Sequence, residues 1–268
     1  MSFLIFSLLF SQTPFSPGFS INGTESEGRQ IIFTFDDGPD YRTTPLLLDY
    51  LLEEDIKVIF FINGIKIGGR LASAVRNRQV LKIMHERGHW IGNHTYSHPM
   101  MDKVSPATQK KQIMQNHRAI EKLLGLKMFL YRPPFGLMTG YSRTLLKDEG
   151  YAIIMWNLES HDPFQRHVLK NWRNVLRDIA LYQGGIILMH DTNSWSLESV
   201  PRIVKTVRMA NCENIDRNDP IYEFGDVSHF YSKKAGKWKE PSLEMVKKGL
   251  QNRKKSEDWC RNIQSKEL

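Results

Sequence analysis

Two adjacent acids, Asp36 and Asp37, stand in the run Thr34-Phe35-Asp36-Asp37-Gly38-Pro39, and two imidazoles follow further along, in His94-Thr95-Tyr96-Ser97-His98-Pro99. One carboxylate and two imidazoles suit a single borderline divalent cation, zinc first, with cobalt, nickel or manganese as alternatives. A water in the remaining position would become a usable hydroxide near neutral pH. Asp37, His94 and His98 are therefore the candidate metal ligands. The same spacing recurs in His85 and His89, but that pair falls on a helix end and its Gly-His turn and is read as structural. His94 and His98 differ because they follow a short apolar segment and are closed by Pro99, the loop-after-strand setting where catalytic side chains concentrate.

Something must hold these groups. From Arg29 to about Ala210 apolar runs alternate with amphipathic stretches. Strands are expected at residues 30–35, 57–62, 90–92, 129–131, 152–156 and 185–189, each ending near polar or motif residues. The clearest helix starts at the N-cap Ser105 with Pro106 behind it, carries Ile113, His117, Ile120, Leu123 and Leu124, and stops at Gly125. His117 lies on or beside that apolar stripe and is read as packing. Strand-helix alternation implies an α/β fold with a parallel sheet, open or closed.

The 268 residues suffice for one large domain. Residues 1–20 read as a signal peptide or N-terminal anchor, with an apolar stretch too short to span a bilayer and no basic residue before Arg29; a buried N-terminal strand is the alternative. Residues 21–28 are then a linker, 29–210 the catalytic domain and 211–268 a basic C-terminal extension. Lys and Arg number 37 against 29 Asp and Glu, a net charge of +8, and most of the excess lies in residues 233–268. Such a tail could touch an anionic wall polymer or membrane surface, or be a solvated helix. No zinc finger, RNA-binding aromatic pair or helix-turn-helix pattern accompanies it, which argues against nucleic acid. Cys212 and Cys260, the only cysteines, could pair in an oxidising compartment.

Three more motifs fall after expected strands: Arg132-Pro133-Pro134-Phe135-Gly136, then Trp156-Asn157-Leu158-Glu159-Ser160-His161-Asp162-Pro163, and Ile187-Leu188-Met189-His190-Asp191. In this order the five motifs resemble the polysaccharide deacetylases, the NodB-homology domain or carbohydrate esterase family 4, over roughly residues 29–210. The resemblance implies an irregular (β/α) barrel with all five motifs at the carboxyl ends of its strands. It also implies roles: Asp36 as general base, Asp37, His94 and His98 as metal ligands, and Arg132 as the partner of the base. By the same likeness Phe135 presents a main-chain N–H to the oxyanion, Asp162 orients His190, and His190 is the catalytic acid. Leu188, Trp156 and Pro134 would line the substrate. Three positions depart from the family pattern: Phe135 replaces a tyrosine, Pro163 a tryptophan and Glu159 an aspartate, which bears on acetyl fit and substrate preference.

The implied activity is metal-dependent hydrolysis of the N-acetyl amide of a polysaccharide, peptidoglycan or chitin-like N-acetylglucosamine, by a secreted, periplasmic or envelope-attached enzyme. A glycoside hydrolase would need acids on opposite faces of a scissile bond, whereas Asp36 and Asp37 are neighbours. A catalytically silent carbohydrate-binding protein of the same fold, and a deacylase of a small amide or lipid-linked sugar, are the other readings.

Overall fold

A computed structural model describes residues 18–24, 29–225 and 243–264. Most of the segment expected as a signal peptide or anchor, the end of the expected linker and the basic run at Lys233-Lys234 lie outside the described residues. Among the described residues nine strands form one sheet: β1 (Ser20–Ile21), β2 (Arg29–Asp36), β3 (Ile59–Ile62), β4 (Trp90–Asn93), β5 (Leu130–Tyr131), β6 (Ala152–Ile154), β7 (Leu158–Glu159), β8 (Gly185–His190) and β9 (Tyr222–Phe224). Every pairing is parallel, in the order β1-β6-β5-β4-β3-β2-β8-β7, with β9 against the first residues of β2. The sheet curls into a half-closed barrel whose edges are β1 and β7. Helices α1 (Thr44–Glu53), α2 (Gly64–Ile67), α3 (Ala72–Glu86), α4 (Pro106–Leu124), α5 (Gly140–Asp148), α6 (Val168–Tyr182), α7 (Ser194–Asp216) and α8 (Leu243–Gln264) complete the described structure.

Side-chain alternation explains why the site lies where it does. On β2, Ile31, Phe33 and Phe35 join the large apolar layer beneath the helices, whereas Ile32 belongs to a second cluster on the concave side with Ile59, Phe61, Leu130, Ala152, Ile154 and Ile186. With a period of two, Thr34 and Asp36 follow Ile32 inward, His190 follows Ile186 and Leu188, and Arg132 follows Leu130. The concave interior therefore has an apolar floor and a rim of acid, base and guanidinium at the strand ends. Register brings Asp36 directly beside His190 on one flank and Phe61 on the other.

The helix expected from Ser105 to Gly125 is α4: the Ser105 hydroxyl accepts from Thr108 N–H, and Gly125 ends the helix with φ 70°. His117 is buried against Tyr151, its Nδ1 2.6 Å from that hydroxyl, as a packing role requires. The expected boundary between signal segment and linker gives way to β1, whose Ile21 is fully buried and pairs with Ile154. The expected break at residue 211 falls inside α7, which runs on to Asp216, and β9 then joins the sheet beside Arg29. Cys212 on α7 and Cys260 on α8 form a disulfide. Thus the described parts of the extension are built into the end of the barrel that holds the strand starts.

Candidate functional site

The two acids of the first motif separate because the chain turns between them. Asp36 is the last residue of β2 and nearly buried, whereas Asp37 has φ 71° and a partly exposed side chain. Asp37 Oδ1 lies 3.7 Å from His94 Nε2 and 3.5 Å from His98 Nε2. One ligand atom each from Asp37, His94 and His98 fall within 4.8 Å of one another. That donor set, one carboxylate oxygen and two imidazole nitrogens, fits a divalent cation of the zinc type.

The surrounding groups prepare these donors. His94 Nδ1 lies 2.8 Å from the Arg132 carbonyl, which can only accept, so the proton sits on Nδ1 and the Nε2 lone pair is free toward Asp37. Asn63, just past β3, donates to Asp37 Oδ1 at 2.6 Å. The loop between the imidazoles is pinned from below: Asn93 Oδ1 accepts from Thr95 N–H, and Gln112 of α4 accepts from the N–H groups of Tyr96 and Ser97. Thr95 and His98 both take positive φ, 65° and 57°. Burial alone would raise the Asp37 carboxyl, but the imidazoles of His94, His98 and His190, with Asn63, hold it below its ordinary value. Burial and the neighbouring His94 lower His98, which favours the neutral ring a metal needs.

Behind the donors lies an ion pair. Arg132 is fully buried and donates from Nη1 to Asp36 Oδ1 at 2.9 Å. Its other donors reach the Thr34 hydroxyl and the Ile154 and Met155 carbonyls, and its guanidinium lies 4.3 Å from the Phe61 ring centroid. A buried charge so thoroughly bonded is held in one orientation. Opposite, His190 Nδ1 is 3.0 Å from Asp162 Oδ1, while Asp162 Oδ2 accepts from the His190 backbone N–H at 3.1 Å. Ser160 donates to Asp162 Oδ1, and the Trp195 indole donates to the Asp162 carbonyl. Burial by itself would lower His190; the hydrogen bond and charge of Asp162, aided by Asp36 and Asp37, overcome it and push His190 up to about 9. His190 Nε2 faces Asp37 Oδ2 at 3.9 Å.

Phe135 sits in a left-handed turn with φ 58°, its ring exposed and 4.6 Å from the His98 ring centroid. The three residues expected to line substrate are placed unequally. Leu188 is buried on β8, inside the concave face. The Trp156 ring lies 5.5 Å from the Arg132 guanidinium and also meets Gly136. Pro134 is buried in its turn and offers little surface to a polymer. His89 is likewise structural: its Nδ1 accepts from Val58 N–H, and burial, with Lys57 and Arg87 near, lowers it to about 4.

Several supporting residues escaped the sequence reading. Asn63, Thr34, Ser160 and Asn93 act through hydrogen bonds between segments far apart in the chain, and only their position at apolar strand ends hints at them. Asp191 is a further case. It is fully buried, accepts from the Thr44 hydroxyl at 2.5 Å, lies against Gly38, and is pushed by burial up to about 7.

Comparison with known proteins agrees with this geometry. The family model described as polysaccharide deacetylase matches residues 23–154. The peptidoglycan-N-acetylglucosamine deacetylase of Bacillus cereus is 29% identical over 199 residues, covering 70% of this chain and 66% of that protein's length. The crystal structure of the Bc1960 peptidoglycan N-acetylglucosamine deacetylase superposes with a TM-score of 0.63 at 26% identity, covering 78% of this chain and 94% of that one. A CE4 family pseudoenzyme from Bacillus anthracis shares the fold, with a TM-score of 0.65 at 20% identity over 83% of this chain and 70% of that one.

Proposed function

Because the chain belongs to the polysaccharide deacetylase family, we propose that it hydrolyses the N-acetyl amide of an N-acetylated glycan, releasing acetate and leaving a free amine. Peptidoglycan and chitin-like N-acetylglucosamine are the first substrates to test. The observation that carries this reading is the convergence of Asp37, His94 and His98 within 4.8 Å, flanked by the Arg132–Asp36 and Asp162–His190 pairs. A divalent cation, when bound there, supplies Lewis-acid polarisation of the acetyl carbonyl and activation of water. Asp36, fixed by Arg132, accepts the proton from the attacking water. The Phe135 N–H donates to the oxygen on which charge develops, a contribution of about 3 kcal/mol for one well-placed donor. His190, held by Asp162, delivers its proton to the departing amine, which leaves poorly while uncharged.

Acetate release across a panel of N-acetylated glycans, with and without chelator, tests the proposal. Asp36→Asn is expected to retain the metal and lose turnover by at least ~100-fold, the scale of removing a general base; near-normal turnover would remove Asp36 from that role. New reducing ends would instead favour a glycosidase. Glycan binding by metal-loaded protein without acetate would favour a silent binder.

The Cys212–Cys260 disulfide supports work in an oxidising, extracytoplasmic setting, secreted, periplasmic or attached to the envelope. No helix among the described residues is long and apolar enough to cross a membrane. The basic run Arg253-Lys254-Lys255 on α8, in which Lys254 is exposed, supports contact with an anionic wall or membrane surface. Retention on purified wall material that is unchanged by Lys254→Glu at low salt would exclude that contact.

A further inference from the structure

A cavity of about 400 Å³ opens at the end of the barrel opposite the catalytic rim, between β9, α7, α8 and the loop before β3. Gln30 is the second residue of β2 and Asp36 the last, which places the cavity roughly 20 Å from the acids at about 3.3 Å per residue. Its volume lies in the range of small-ligand sites. It is lined by three acids, Glu54, Asp55 and Glu223, and three bases, Lys57, Arg208 and Lys255. All six are already engaged. Arg208 pairs with Glu54 and Lys255 with Asp55, Lys57 donates to the Arg87 carbonyl, and Glu223 accepts from Gln30. Two of the acids pair with two of the bases, and over the whole lining three acids balance three bases, so the cavity carries no net charge to hold a charged ligand and suits a neutral one.

What is left over is amide and aromatic. Gln30 is more than nine-tenths buried, and its Oε1 lacks a hydrogen-bond partner among the described residues, so a turn of its amide toward the cavity would offer that acceptor to a ligand hydroxyl or N–H. Gln251 and Asn252 of α8 bring further donors and acceptors to the wall, beside the half-buried rings of Trp259 and Tyr222. Arg29 lies over the Tyr222 ring and Arg208 over the Trp259 ring; the ring surface left to the cavity, next to neutral amides that bond hydroxyls, is complementary to a pyranose.

We propose that this cavity is a second binding site for a neutral saccharide, separate from the catalytic rim and independent of the deacetylase reading. The site would hold a length of glycan on the enzyme while the other end of the barrel is free to act on a different stretch.

The test uses the full chain, with and without chelator, titrated with the β-1,4-linked tetramer of N-acetylglucosamine while the Trp259 indole N–H resonance is followed by NMR. Trp259→Phe assigns that resonance. The expected result is a saturable shift that persists in chelated protein. Asn252→Arg, which fills the cavity from a side chain without a hydrogen-bond partner among the described residues, should weaken this binding by about tenfold or more, equivalent to 1.4 kcal/mol, with acetate release from a short soluble substrate unchanged. An unperturbed Trp259 resonance, equal binding by Asn252→Arg, or an equal shift with inorganic phosphate would each overturn the proposal. Failure of acetate release alone would not, because the Trp259 readout does not pass through the metal.

Discussion

At the scale of single residues the site is a set of proton addresses, and His190 has the most to tell. A group that acts as an acid must hold its proton at working pH, and His190 is pushed up to about 9 against its own burial, chiefly by Asp162. The competent imidazolium is therefore present below that value and lost as pH rises through it. Asp162→Asn removes the strongest raising partner and leaves the burial, so the alkaline limb of kcat/KM should move to lower pH while turnover falls by about 1,000-fold or more, the scale seen when a carboxylate orienting a catalytic histidine is neutralised. An unmoved limb in a pH–rate profile would show that Asp162 is not the group that sets it. His89 carries the opposite shift. Its native value of about 4 lies below the ordinary 6.5, so its neutral form stabilises the fold fully above pH 6.5, and that contribution is lost as pH falls toward 4. The shift corresponds to about 3 kcal/mol. Urea unfolding of wild type and His89→Asn should show the wild-type advantage shrinking by about that amount between pH 7 and pH 4; parallel curves would mean that His89 titrates alike in both states.

At the scale of elements, α4 shows why some structure is legible in the sequence and some is not. Its serine cap, following proline, apolar stripe and terminal glycine are local signals, and each sits in the structure at the residue expected of it. The long strand β2 is legible for the same reason, since it is one apolar run ending in acids. The five motifs are likewise found at strand ends, because their residue types and spacing lie within short windows. Two-residue strands such as β1 and β7 leave no periodicity to read, whereas residues 221–231 could add a strand on sequence alone, and β9 lies within them, paired with Arg29, Gln30 and Ile31. What α4 does for the site was equally invisible, since Gln112 reaches back to the histidine loop from fifteen or more residues away. Gln112→Ala frees the Tyr96 and Ser97 N–H groups and should weaken metal binding about 10- to 100-fold, as loss of a supporting hydrogen bond does in metal sites. Ser105→Ala supplies the control: the lost cap costs about 1 kcal/mol without touching the loop. Metal titration and thermal melting of both variants separate the two effects, and equal metal affinities would show that α4 supports the loop through packing alone.

At the scale of the whole molecule the barrel has one end that gathers Asp37, His94 and His98 and another that is tethered, and the tether is covalent. The disulfide joins α7 to α8 across a sequence separation of 48 residues, a loop that contains β9. Closing a loop of that length lowers unfolded-chain entropy by an amount worth about 4 kcal/mol in the chain-entropy model. Among the described residues α8 is also held by Lys255 to Asp55, Arg253 to Asn218, and Arg208 over the Trp259 ring. All of them are at the end of the barrel where β2 begins, far from Asp36. The Cys212→Ser, Cys260→Ser variant should therefore lose between about 2 and 5 kcal/mol of stability, while metal affinity and acetate release measured below its melting temperature stay near those of the parent. Saccharide binding at Trp259 should fall, because Cys260 is the next residue and holds that wall in place. Parallel loss of metal affinity would mean instead that α8 and β9 stabilise the end that holds Asp37, His94 and His98 through β2, whose first residues pair with β9 and whose last residue is Asp36.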